Sequence, residues 1–291
     1  MLYEQGLAVA EAHDLAAWRI GLLYHLGADD GIRSASPDRL TEALAAAERA
    51  GAVVTSLDIE LELSVVRICR GEITAAAAAT ARCEQNAARL RLTHTRLIAL
   101  GERIMVAAHG GRRDEVVALM VRFRDLGGED DDFSSAVHGF GLAIGHLLHE
   151  DGDAARAESD AAMAMEARRP PSYLSFVPGL HLLLAVLDGR AGAAECESLG
   201  TSAQVQAGWN RQFVTLAQAV VHARAGDVGQ AGDAMARFFQ ESRPYPGAAP
   251  RPAADGGGGH RRRLGRSGGL AARGAGPFHS SAPRWRGPAG H

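Results

Sequence analysis

Ile68-Cys69-Arg70-Gly71-Glu72-Ile73-Thr74-Ala75-Ala76, running on to Leu90, is the stretch whose reading decides the fold. An apolar helix end meets a glycine, and an alanine-rich helix opens directly after it. Gly71 suits the left-handed position that closes one helix, and Glu72 suits the positive end of the next. The same grammar returns at Gly111, Gly152, Gly189 and Gly226, so that from Gly71 the turn glycines step by 40, 41, 37 and 37 residues. A small or branched apolar residue stands five places after each: Ala76, Val116, Ala157, Ala194 and Ala231. A period of this length is the signature of stacked helical hairpins. The expectation is an all-α, tetratricopeptide-like solenoid over residues 1–242, in which each hairpin needs its neighbours to cover its apolar faces.

Composition agrees. Of 291 residues 46% are hydrophobic and 5% aromatic, a balance that suits close-packed helices better than a β-sandwich. No lysine occurs, so all 31 basic residues are arginine. A phosphate loop of the Walker type, Schiff-base chemistry and a lysine general base are therefore excluded. Cys69, Cys83 and Cys196 are scattered and odd in number, which indicates neither a disulfide framework nor a zinc knuckle and fits a reduced cytoplasm. No run of apolar residues is long enough to span a membrane, and no cleavable signal pattern opens the chain.

Along the chain, Leu2 to His13 reads as a helix, and Asp14 can cap the next one, which carries Leu15, Trp18, Leu22 and Leu26. Ser36-Pro37 is a helix start with the hydroxyl as cap and proline at the first helical position. Ala52 to Arg70 has a rival reading, because Leu57, Ile59, Leu61 and Leu63 alternate with Asp58, Glu60 and Glu62 as in a strand. Helix is preferred there: the segment is long, lacks interior Gly and Pro, and a lone strand would have no sheet to join. Helices are expected at 72–90, 93–109, 112–126, 131–150 and 153–168. Another at 173–187 should be kinked at Pro178-Gly179, and Asn210 should cap the helix that follows it.

From Arg243 onward the composition changes. Residues 243–291 hold nine arginines against one acidic residue, Asp255, with twelve glycines and seven prolines. This is the composition of disorder. Two origins remain open, a genuine basic tail or a frameshifted end, and the frameshift is preferred because another helix is due there. Arg261 to Arg263 could touch nucleic acid through phosphates, but no nucleic-acid partner is expected for this chain.

Candidate sites are few. His138, His146 and His149 share a sector of one expected helix and could approach a metal, or simply meet solvent and carbonyls. Gly139-x-Gly141-x-x-x-Gly145 lacks the strand of a dinucleotide site and is read as a close approach of helices. Glu129-Asp130-Asp131-Asp132 lacks the order of a calcium loop. Trp18-Arg19 and Trp209-Asn210-Arg211 carry residue types enriched at binding hot spots. A tryptophan filling a gap between hairpins is the competing reading. Trp18, Arg19, Trp209 and Arg211 are accordingly the candidate partner-binding residues, with no catalytic, cofactor or metal residue nominated.

Leu2-Tyr3-Glu4-Gln5-Gly6-Leu7-Ala8-Val9-Ala10-Glu11-Ala12-His13, then Trp18-Arg19-Ile20, Leu26-Gly27, Asp38-Arg39-Leu40 and Ala50-Gly51-Ala52, resemble a particular family. They are similar to the tetratricopeptide-like helical region of large actinobacterial LuxR-type transcriptional regulators, over roughly residues 2–240. In that family an ATPase module precedes the array and a helix-turn-helix follows it. The resemblance implies the middle of such a regulator, cut at both ends. Its role would be a non-enzymatic, cytoplasmic sensor or interaction segment, binding a protein, a peptide or a small inducer on its concave face without any cofactor. A free-standing tetratricopeptide-like scaffold is the alternative.

Overall fold

One kind of turn, used repeatedly, produces the architecture. In a computed structural model of the chain, which describes residues 2–171 and 175–244, the polypeptide is all-α, with no strand among the described residues. The order is α1 (Leu2–Ala12), α2 (Ala16–Ser34), α3 (Asp38–Arg49), α4 (Val53–Cys69), α5 (Ile73–Arg89), α6 (Thr93–His109) and α7 (Arg113–Asp125). A 3₁₀ turn (Gly128–Asp130), α8 (Ser134–Ala136), a π-helical segment (Val137–Leu142) and α9 (Ala143–Leu148) come next. Then follow α10 (Gly152–Arg168), α11 (Pro178–Leu187), α12 (Ala193–Gly200), a 3₁₀ turn (Ala203–Gln206), α13 (Gly208–Arg224) and α14 (Val228–Glu241). The expected tail from Arg243 lies outside the described residues, except for Arg243 and Pro244 themselves.

At Gly71 the backbone turns left-handed, with φ of 73°. Its N–H returns to Ile68 O at 2.9 Å, and the Glu72 N–H returns to Arg67 O at 2.8 Å. These paired bonds form a Schellman closure, which satisfies two carbonyls that a helix end leaves open. The residue after the left-handed one is already the N-cap of the next helix. The same pair of bonds closes α1, α3, α5, α6, α9, α11 and α13. Gly51, Gly71, Arg91 and Gly111 are the left-handed residues of successive turns and stand 20 residues apart, because a 17-residue helix and a three-residue turn make 20.

Several expectations shift by a residue or change hands. Gly152 is not the turn residue before α10; Glu150 takes the left-handed position, at φ 59°, and Gly152 opens the helix. Asp14 likewise is the left-handed residue, φ 53°, and caps nothing. Ser36 does not cap α3, since its hydroxyl turns to Asp38 Oδ2 at 3.3 Å. Pro178 begins α11 rather than kinking a longer helix, as suits a residue with no N–H to contribute. Residues 173 and 174 of that expected helix lie outside the described residues.

The strand-like alternation of α4 has a packing cause. Leu57 and Leu61 pack with Cys83 and Ala99, while Ile59, Leu63 and Val66 belong to the main core. A helix covered on two opposite sides carries two apolar stripes, and their superposition imitates a period of two.

Successive helices pack as neighbours, and α4 also touches α2 and α6. Far along the chain, α13 returns to α2. Arg33 Nη1 donates to Gln206 Oε1 at 2.9 Å, and Arg211 Nη2 donates to the Arg33 carbonyl at 3.4 Å.

A candidate ligand cavity among α2, α4 and α6

Three helices, each offering residues one turn apart, line an open cavity of about 640 Å³. From α2 come Tyr24, Ala28 and Ile32, with His25 beside them; from α4, Asp58, Glu62, Leu61 and Val65; from α6, His94, Ile98 and Glu102. Phe133 and Phe176 complete the wall. The i, i+4 spacing puts each set on one helix face. The volume is that of a site for a small molecule.

Its electrostatics are one-sided. The lining holds three carboxylates and two imidazoles, and no arginine. Glu102 is 2% exposed, and its Oε2 has no hydrogen-bond partner. Burial, reinforced by the charge of Glu62, pushes the Glu102 carboxyl well above its ordinary range. Glu62 is raised by burial and by Asp58. Asp58 is raised by burial, against an opposing pull from His94. Tyr24 is raised by burial and by all three carboxylates. A buried, unsatisfied carboxylate is costly to keep, so its presence calls for a reason.

Neither acidic position stood out in the sequence, though a signal existed. Glu62 and Glu102 lie 40 residues apart, twice the 20-residue turn register, so they are equivalent positions of successive hairpins. Counting from the left-handed residues, rather than from every glycine, aligns them.

The residues singled out by type are dispersed. Trp18 is 70% exposed on α2, and Arg19 beside it pairs with Glu11 and Glu42 at the edge of a 500 Å³ hollow among α1, α2 and α3. Trp209 is 3% exposed and fills the gap between hairpins: its ring meets Phe140 edge-on at 4.6 Å and Phe213 at 5.0 Å. Phe140 in turn lies 5.0 Å from Phe176 of the cavity wall. Arg211 ties the carbonyls of Val205 and Arg33 to Glu241. The two Trp-Arg pairs do not form one surface.

Asn210 does not cap its own helix. Its Oδ1 accepts the Gly179 N–H at 3.0 Å, and its Nδ2 donates to Ser175 O at 2.7 Å, so it caps α11 from α13. The three histidines do not converge either. His138 pairs with Glu158 at 2.6 Å, His146 stands 4.0 Å from Asp151, and no group of three metal-ligating side chains occurs among the described residues. The π segment beginning at Val137 explains this: its i→i+5 bonding alters the angular phase of everything after His138. Within that segment the Phe140 carbonyl accepts from His109 Nε2 at 2.8 Å. Gly141 and Gly145 serve close packing as expected, against Met105 and Ala108, and Gly139 does so too: a β-carbon there would stand 2.6 Å from Val177. The acidic run is engaged in ion pairs, Glu129 with Arg124 and Asp132 with Arg169. No helix among the described residues is long and apolar enough to cross a membrane.

Set beside protein-family models, characterised proteins and solved structures, the chain matches none.

Proposed function

We propose that this chain is a non-enzymatic sensor segment of a LuxR-type transcriptional regulator, and that the cavity among α2, α4 and α6 is where it senses. The observation that carries the sensing role is Glu102, a buried carboxyl on a ligand-sized cavity whose Oε2 has no hydrogen-bond partner. The regulator context rests on the resemblance over the first helices. A small inducer is favoured over an extended peptide on the inner face. The hollow lined by α2, α4 and α6 has the volume of a small-molecule site. A path from cavity to far helices also exists, through Phe176, Phe140 and Trp209.

The regulator context is tested by reading the coding DNA past the codon for Ser242 in the other two frames. A further helix and a helix-turn-helix pattern there support it. A single open frame, with nothing alongside, favours a free-standing scaffold and overturns it.

A further inference from the structure

We propose that the cavity among α2, α4 and α6 takes a small organic cation, an ammonium or guanidinium group on an apolar stem, with Glu102 as its anionic anchor and Glu62 and Asp58 beside it. This rests on reading the cavity as the ligand site. Two independent observations converge on it. The polar lining is acidic, with Asp58, Glu62 and Glu102 against no arginine, while Leu61, Val65, Ile98, Phe133 and Phe176 supply an apolar wall. Separately, the Glu102 Oε2 is fully enclosed and lacks any hydrogen-bond donor. A buried carboxylate is retained at a cost unless a counter-charge reaches it. Aromatic faces add attraction for a cation once water is displaced. A neutral sugar would use the same oxygens in their protonated form and would gain nothing from their ionisation.

Binding should expel protons. The carboxyls of Glu102, Glu62 and Asp58 hold their protons to higher pH than usual in the empty cavity. A cation binds the ionised forms, so affinity rises with pH as these groups ionise. Tyr24 and His25 on α2 and His94 on α6 are the other titratable groups facing the cavity.

The test uses the full chain and four probes of matched size: hexylammonium, butylguanidinium, 1-hexanol and hexanoate, with glucose as a neutral polar control. Titration calorimetry at pH 6 and pH 8 should show the two cations binding, more tightly at pH 8, and hexanoate not at all. Glu102→Gln should weaken cation binding at least tenfold. It should also raise the melting temperature of the empty protein at pH 8, which separates a ligand anchor from a structural residue. Glu62→Gln provides a second variant with the same expected sign. Tighter binding of hexanol or glucose than of the cations, lost on the control substitution Ile98→Trp, would leave the cavity a ligand site and overturn the cation. If no probe binds and Glu102→Gln destabilises the protein, the cation and the ligand site both fall.

Discussion

At the level of single residues, the polar side chains that matter most are those that answer a backbone group on another helix. Asn210 is fully buried and makes three bonds, two across to Gly179 and Ser175 at the start of α11 and one to the Gln204 carbonyl in the turn before α13. Asn210→Leu would leave the Gly179 N–H and the Ser175 carbonyl unpaired, while the Gln204 carbonyl keeps the Ala207 N–H. It should destabilise the protein by about 2–4 kcal/mol in urea unfolding. His109 is held neutral: burial lowers its pKa to about 4, against the bond to the Phe140 carbonyl. Below its ordinary pKa the unfolded chain binds a proton that the folded chain refuses. Stability therefore falls as pH drops through that range toward 4, by roughly 3 kcal/mol at most. The raised carboxyls of Glu62, Glu102 and Glu166 act in the opposite sense, because there the folded state binds the extra proton. The measurement is thus a difference, and His109→Gln should lose less stability between pH 7 and pH 4.5 than the parent does.

At the level of elements, the sequence was most legible where glycine marks a turn, and least where another residue takes glycine's place. Gly51, Gly71, Gly111, Gly189 and Gly226 all adopt positive φ, but Asp14, Arg91 and Glu150 do so as well. No rule of composition finds an arginine in a left-handed turn; only the 20-residue register does. Two substitutions check this account. A β-carbon on Gly51 would meet nothing within 4 Å, so Gly51→Ala isolates backbone strain and should cost about 1–2 kcal/mol. Arg91→Gly relieves the same strain and should stabilise by about 0.5–1 kcal/mol, less the glycine's greater freedom when unfolded. Both are read from the shift in urea midpoint. The π segment was illegible for a different reason. Gly139 and Gly141 within it, and Gly145 just after it, pack closely on Val177, Met105 and Ala108. Those contacts lie far away in sequence, so counting at 100° per residue misplaced the histidines.

At the level of the described array, pairing of adjacent helices follows from short turns and was readable in advance. The return of α13 to α2 was not, because it depends on the angle accumulated over many turns. Arg33 and Gln206 at that junction look in the sequence like any solvated polar residues, and Arg211 stands out there only as a candidate partner-binding residue. An array whose early and late helices touch should unfold as one unit, whereas an open row can fray from its ends. Native-state hydrogen exchange should therefore give α2 and α13 similar protection. Arg211→Ala should lower protection in both together; loss confined to α13 would count against the coupling.

The junction of α2 with α13 also bears on how such a protein can change over generations. A row with free ends grows by duplicating one helix pair, since each new copy finds a ready face to cover. Here a duplicated pair inserted between α2 and α13 would drive Arg33 away from Gln206 and Arg211. Copy number is thereby locked, and variation is steered toward the side chains that line the interior.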